Sequence, residues 1–338
     1  MVKAVTLRVA VVGVGHLGKH HARILSALPG VELVAVVDTN RARAAEIAAA
    51  HGTRAAFDYR ELLGQVDAVT IAVPTELHCE IALPFLKAGV PVLVEKPIAR
   101  SLEEADRMIE AAADAGVVLA VGHTERFNPA LAAARPIVTD PRFIEIHRLG
   151  TFPERSLDID VVFDLMIHDL DVVLSLVDSD VESVEAVGVP VITNRVDIAN
   201  ARLRFANGCI VNLTASRISR DRVRKIRFFQ PSAYLSIDYA TQKVEVYRLG
   251  KGSGPTSLDG AQGKPFDAAQ GRPSIEGGEL DVLSEEPLKR ELADFVDAVV
   301  TRRAPRVTGE AGRRALALAQ QITDKIATDM QPRRHQST

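Results

Sequence analysis

No stretch of this sequence approaches 18 consecutive apolar residues, and the apolar run nearest the N-terminus, Val9 to Val14, follows Arg8 and contains Gly13. Neither a membrane-spanning helix nor the apolar segment of a secretion signal is expected, so the chain is expected in the cytoplasm. Cysteine is scarce: Cys79 and Cys209 lie far apart and outside any Cys-x-x-Cys or Cys/His ligand spacing. That pattern speaks against a disulfide framework and a zinc site, and it suits a reducing compartment. Net charge is also slight, −3 over 338 residues. A near-balanced surface offers no global attraction to polyanions, so no nucleic-acid or anionic-membrane partner is expected. What is present is ordinary for a globular protein: 47% apolar and 25% charged residues exclude disordered and fibrous classes. At roughly 150 residues per domain, this length accommodates about two domains.

The first third alternates β-branched runs with helical patterns. Leu7 to Val12, Val31 to Val37, Val66 to Val73, Val90 to Val94 and Val117 to Val121 read as strands separated by helices, which implies a doubly wound parallel sheet. Asp58 with Glu61 and Ser101 with Glu104 have capping-box spacing, and Gly52, Gly89 and Gly116 close helices. After about Gly122 strands follow one another directly: 142–151, 181–192, 197–205, 209–216, 223–229, 233–239 and 243–249, with Asn207-Gly208 a hairpin turn. A mostly antiparallel, open sheet follows from that order, interrupted by a helix from about Asp160 to Val177. The expected organisation is a dinucleotide-binding domain over 1–123, a second α/β domain over 124–330 and a frayed tail over 331–338. Residues 250–282, rich in Gly, Pro and Ser with near-copies at 261–265 and 269–273, read as a loop insertion.

Gly13-Val14-Gly15-His16-Leu17-Gly18 stands between the first strand and its helix, and Asp38 ends the second strand. The first glycine permits a tight turn, the second lets backbone amides approach a pyrophosphate, the third lets helix pack on strand, and the acid bonds a ribose hydroxyl. An Asp repels a 2′-phosphate, so NAD is favoured over NADP, although Arg41 and Arg43 stand nearby. Absence of tryptophan makes reduced-nicotinamide fluorescence a clean signal. Val73-Pro74-Thr75 and Glu95-Lys96-Pro97 end strands on the carboxyl edge of the sheet, where ligands bind. There Pro74, Glu95 and Lys96 would line the cofactor. Lys96 either donates to a substrate hydroxyl or pairs with Glu95 at the surface. His78, just beyond, reads as an ordinary helix residue.

Asp164 and His168 are spaced i, i+4, with Asp171 continuing their row. They read either as an acid/base pair or as a helix-surface ion pair. A metal site would want a third suitable ligand, and none is expected. At the domain junction, Gly122-His123-Thr124-Glu125-Arg126-Phe127-Asn128-Pro129 offers Arg126 and Asn128 either to substrate and cofactor or to the junction itself. Arg217, Arg220, Arg222, Arg224 and Lys225 read as a solvated strand face, or as the partner of a diphosphate.

With those three motifs, the glycine turn with Asp38, Glu95-Lys96-Pro97 and Asp164-Leu165-Met166-Ile167-His168, the chain resembles the Gfo/Idh/MocA oxidoreductases over nearly its whole length. The resemblance implies an N-terminal Rossmann domain, an α/β substrate domain whose open sheet packs in oligomers, thus a homodimer or homotetramer, and a cis bond before Pro97. It further implies that Lys96 binds the reacting hydroxyl, Asp164 holds substrate and His168 is the acid/base in an NAD-dependent oxidation of a cyclic polyol or sugar. Relatives often carry glycines before the catalytic helix, where Leu157-Asp158-Ile159-Asp160 stand here. Within the family, 121–129, 164–171 and 212–217 are similar to members that oxidise the 3-hydroxyl of UDP-N-acetylglucosamine, including those serving lipid A assembly. That likeness implies Arg217 as a diphosphate contact and an aminotransferase downstream. Myo-inositol, another free sugar, or a non-catalytic dinucleotide and sugar sensor are the alternatives. A sensor needs neither Lys96 nor His168.

Overall fold

In the computed structural model, which describes residues 6–152, 159–250 and 275–330, two sheets share the chain. β1 (Leu7–Val12), β2 (Val31–Val37), β3 (Arg54–Ala56), β4 (Ala68–Ile71), β5 (Val92–Glu95) and β6 (Leu119–Gly122) form the first. Its order is 3-2-1-4-5-6 and every pairing is parallel. Such an order reverses at β1/β4, which opens a crevice at the carboxyl edge. β4, β5 and β6 are buried at every position, because α1 (Gly18–Leu25), α2 (Arg41–His51), α3 (His78–Lys87) and α4 (Leu102–Ala115) belong to crossovers on either face. The Ser101 hydroxyl caps α4 by accepting the Glu104 amide, and Gly116 closes that helix at φ 64°. Asp58 and Glu61 do form a capping box, but on a single 3-10 turn. β3 is short and was not separable from its surroundings in the sequence.

After α5 (Pro129–Ala134) come β7 (Phe143–Leu149), α6 (Ile167–Leu176), β8 (Val181–Val189), β9 (Ile198–Phe205), β10 (Ile210–Ser216), β11 (Val223–Gln230), β12 (Ala233–Asp238), β13 (Lys243–Leu249) and β14 (Ile275–Glu279). The second sheet runs 14-13-12-11-7-10-9-8, antiparallel except for β7 beside β10. Along β9 burial alternates strictly, with Ala199, Ala201, Leu203 and Phe205 inward. One face therefore packs on α6 and α8 (Gly309–Met330), while the other stays open. β14 corrects one expectation: part of 250–282 is a strand paired with β13, not loop. The near-copied octets, the 331–338 tail, and Leu157 and Asp158 lie outside the described residues.

α7 (Pro287–Thr301) returns to the first sheet and packs on α1, and α8 bridges both units. α8 touches α4 and β6 on one side and α6 and β8 on the other. Gly312 makes this approach possible, since a Cβ there would stand 2.7 Å from Val121 Cγ2. The carboxyl edge of the first sheet is thereby fixed against the start of α6.

Candidate active site

The glycine turn is built by steric exclusion. Gly13 adopts φ 85°, and a Cβ on it would meet Ala72 O at 2.7 Å; a Cβ on Gly18 would fall 1.8 Å from Gly13 O. Gly15 differs: its nearest neighbour would be Arg43 Nη1 at 3.8 Å, so the space over its backbone is open toward the α1 N-terminus. Asp38 accepts the Val14 amide at 3.1 Å and the Asn40 amide at 2.8 Å. Arg43 Nη1 is 4.0 Å from the Asp38 carboxylate. An open glycine cradle, helix amides and an acid at the β2 end fit a dinucleotide, with Gly13, Gly15 and Gly18 shaping its pyrophosphate site and Asp38 its ribose site. His16 and Leu17 lie exposed on this turn, and Pro74 lies exposed past β4.

His78 opens α3, as expected of a helix residue. It is buried, with Nδ1 2.9 Å from Pro97 O and Nε2 3.0 Å from Val73 O, so it ties together the loops after β4 and β5. Burial lowers its pKa, and the two carbonyls act against that.

At the end of β5, Glu95 is buried against His21 of α1, Oε1 to Nε2 at 3.0 Å, and its Oε2 accepts the Lys96 amide at 3.3 Å. A Cβ at Gly122 would stand 3.0 Å from that carboxylate, so glycine is what leaves room for it. Burial pushes the Glu95 carboxyl up, while the His21 hydrogen bond and the His21 and Lys96 charges outweigh it, and the net direction is down. Glu95 thus pairs away from Lys96 Nζ, which instead reaches across the domains. Nζ donates to Asp164 O at 2.7 Å and lies 3.7 Å from Asp164 Oδ1. Burial lowers the Lys96 pKa, with Asp164 and Glu95 holding it up. The Lys96–Pro97 bond is cis, as the resemblance implied.

Asp164 sits in a π-helical turn, Val162–Met166, that leads into α6, and the Ile167 amide reaches back five residues to Val162 O. Such single turns interrupt the α-helical register and are frequent at functional sites. His168, in the first turn of α6, is half-buried, with Nδ1 buried and unpartnered among the described residues. Its pKa lies well below the ordinary value, first through burial and then through Lys96, Arg148, His123 and Arg224. A neutral imidazole is what that environment favours.

Next to His168, Asp169 makes a buried bidentate pair with Arg148 of β7, at 2.6 and 2.9 Å, and Arg148 also holds Glu125 at 3.0 Å. His123 stands edge-on to His168, ring centroids 6.4 Å apart. Neither Arg148 nor His123 was assigned a role from sequence. The signal for Arg148 was in the strand pattern: it shares the inward positions of β7 with Ile144 and Ile146.

Three expected substrate residues have protein partners in the structure. Arg126 pairs with Asp171 at 3.3 Å and donates to Arg306 O. Asn128 is buried, caps α5 and donates to Tyr239 O at 3.1 Å. Each thus has a partner at the junction. Arg217 corrects the reading of a solvated patch: it is 1% exposed, pairs with Asp197 at 2.9 Å and donates to Ile159 O. Arg220, Arg222 and Arg224 remain exposed.

A dinucleotide cradle on one domain facing a lysine, a carboxylate and a neutral histidine at the junction defines a dinucleotide-dependent oxidoreductase. The model of the oxidoreductase family with an NAD-binding Rossmann fold matches residues 7–123, and that of the GFO/IDH/MocA C-terminal domain matches 140–232. UDP-N-acetylglucosamine 3-dehydrogenase from Acidithiobacillus ferrooxidans is 38% identical over 326 residues, 96% of this chain and 99% of its own. A solved structure of that enzyme superposes with a TM-score of 0.87 at the same coverage. Inositol 2-dehydrogenase from Rhizobium meliloti is 29% identical over 63% of this chain and 69% of its own. The chain belongs to the GFO/IDH/MocA family of NAD-binding oxidoreductases. It is a dehydrogenase acting on CH-OH groups.

Proposed function

We propose that this chain oxidises the 3-hydroxyl of UDP-N-acetylglucosamine, or of a close nucleotide sugar. The observation that carries the reading is full-length likeness to a dehydrogenase of that substrate, 38% identity covering 96% of one chain and 99% of the other. Inositol dehydrogenases match over a smaller share.

NAD, when bound, accepts the hydride. Lys96 donates to the reacting oxygen and stabilises the alkoxide that hydride departure requires. His168 takes the hydroxyl proton at Nε2, and its low pKa keeps it neutral and ready to do so at neutral pH. Asp164 orients Lys96 through its carbonyl, and its carboxylate, 3.7 Å from Nζ, also accepts from a sugar hydroxyl. Since Arg217 is buried, the diphosphate falls to Arg224, which is exposed, registers with Arg148 across β11 and β7, and acts electrostatically on His168. Arg224→Ala should raise KM for the nucleotide sugar about tenfold and leave kcat within about threefold.

The reading includes the cytoplasm as location, an aminotransferase as consumer of the 3-keto product, and a homodimer or homotetramer assembled through the open sheet face. Support for assembly comes from Phe143, Phe229, Tyr234 and Tyr247. These rings stand in register across β7, β11, β12 and β13 with centroids 5.2 to 6.1 Å apart, on the face away from α6 and α8.

The test mixes stoichiometric protein and NAD separately with UDP-N-acetylglucosamine, UDP-glucose and myo-inositol, following reduced-nicotinamide absorbance. A burst with the aminosugar nucleotide alone, lost in His168→Ala, is expected. A burst with inositol alone overturns the substrate and keeps the chemistry.

A further inference from the structure

His168 needs a partner for its inner nitrogen, because the hydrogen bond at one ring nitrogen decides which tautomer presents a lone pair at the other. For Nε2 to accept a proton, Nδ1 must carry its hydrogen. In the structure His168 Nδ1 is buried with no direct partner among the described residues. Five more buried polar atoms around this junction share that condition: His123 Nδ1, His123 Nε2, Asp171 Oδ2, Arg126 Nε and Tyr239 Oη. His123 and Asp171 are each 1% exposed.

Among these, His168 Nδ1, the two His123 nitrogens and Asp171 Oδ2 form a complementary set of donors and acceptors. A neutral His168 with hydrogen on Nδ1 supplies one donor, a neutral His123 supplies one acceptor and one donor, and the Asp171 carboxylate supplies one acceptor. Buried groups of this kind are satisfied by protein or by ordered water, and two contacts close all four. Topology brings the three residues together: His123 follows β6, while His168 and Asp171 are i, i+3 on α6. The imidazole rings meet at 87°, centroids 6.4 Å apart. Asp171 is anchored at its far oxygen by Arg126, 3.3 Å away.

We propose that His123 is the positioning residue for His168, holding its Nδ1–H tautomer through water-bridged contacts and passing the polarisation on to Asp171. When His168 takes the substrate proton at Nε2 it becomes an imidazolium whose Nδ1–H faces His123. His123 stays neutral, its own N–H faces the Asp171 carboxylate, and no further proton moves. The groups that bear on His123 are Asp171 and Glu95, which favour its charged form, and Lys96 and Arg126, which oppose it together with burial. Those that bear on His168 are Lys96, Arg148, His123 and Arg224, all acting against its charge. The Asp171 charge, which favours a charged His123, would then reach an imidazolium at His168 through His123.

This assignment rests on His168 being the base, so its test separates the two. Nitrogen-15 NMR of histidine-labelled protein, without substrate, reads the tautomer directly. The Nδ1–H form at His168 is expected in the wild type and in His123→Gln, which keeps a donor and an acceptor, and a tautomer mixture is expected in His123→Phe. In parallel, kcat in His123→Phe should fall roughly 10 to 100-fold, with NAD affinity by nicotinamide fluorescence unchanged and partial recovery in His123→Gln. Asp171→Asn should shift the acid limb of kcat to lower pH. A His168 tautomer indifferent to His123, or kcat within twofold of wild type in His123→Phe, overturns the proposal. If His168→Ala still turns over, the base assignment fails, whereas a tautomer that follows His123 still supports the contact.

Discussion

Single side chains give the sharpest expectations. His168 is pressed toward neutrality by burial and by Lys96, Arg148, His123 and Arg224, so the acid limb of kcat belongs well below the ordinary histidine value of 6.5. Activity is lost as pH falls through that limb, because only the unprotonated ring accepts the substrate proton; His168→Ala should cost roughly 10²–10⁴-fold in kcat at neutral pH. Glu291 of α7 makes a separate claim, on stability. It is buried beside His21 and Glu95, one atom of each lying within 4.8 Å of the others, and its pKa is raised well above 4.5, first by burial and then by Glu95. A carboxyl that holds its proton more tightly when folded contributes full stability below the unfolded value and loses it as pH rises toward the folded one. Wild-type melting temperature should decline across that window, and Glu291→Gln should flatten the decline; an unchanged slope would show Glu291 ionised. Both residues illustrate what a sequence hides. Glu291 falls on the apolar stripe of Leu288, Leu292 and Phe295, and Arg148 on that of Ile144 and Ile146, yet nothing local says whether such a charge is paired, neutral or exposed.

Elements are where the sequence was most legible, and the reason is periodicity. β1, β2 and β13 fall on the expected residues, and β9 and β10 within one residue of them, because alternation and glycine turns are local signals. The exceptions are physical too. β14 sits in a segment of glycine and acid, IEGGE, whose pairing is decided by the edge of β13, not by its own composition. The π-helical turn at Val162–Met166 leaves no mark on the apolar pattern, though it sets the carbonyl that Lys96 reaches. At the glycine turn, space separates two roles that the motif alone merges. Gly18→Ala would drive a methyl into Gly13 O and should lower stability by roughly 1–3 kcal/mol. Gly15→Ala meets nothing closer than 3.8 Å, so its melting temperature should hold within a few degrees while NAD affinity falls at least tenfold. Equal destabilisation by both would remove the case for Gly15 as the open cradle.

For the whole molecule, function resides at a seam. Lys96 follows β5 of one sheet and Asp164 sits in the turn leading into α6, which packs on the other, and a 2.7 Å hydrogen bond joins them. α8 and the buried pairs Arg126–Asp171 and Arg148–Glu125 hold the seam in register. Sequence spacing named the lysine and the histidine, but their meeting depends on domain packing, which spacing does not encode. It also assigned Arg217 outward, whereas Asp197, placed by the turn after β8, draws it inward. Hydride transfer from the sugar C3 can be followed with an isotopic label. UDP-N-acetylglucosamine carrying deuterium at C3, turned over once with stoichiometric protein and NAD, should deliver that deuterium to the nicotinamide, seen by mass spectrometry. Reduced nicotinamide formed without the label would place oxidation at another carbon, and no reduction at all, with NAD bound, would show that this sugar nucleotide is not the substrate.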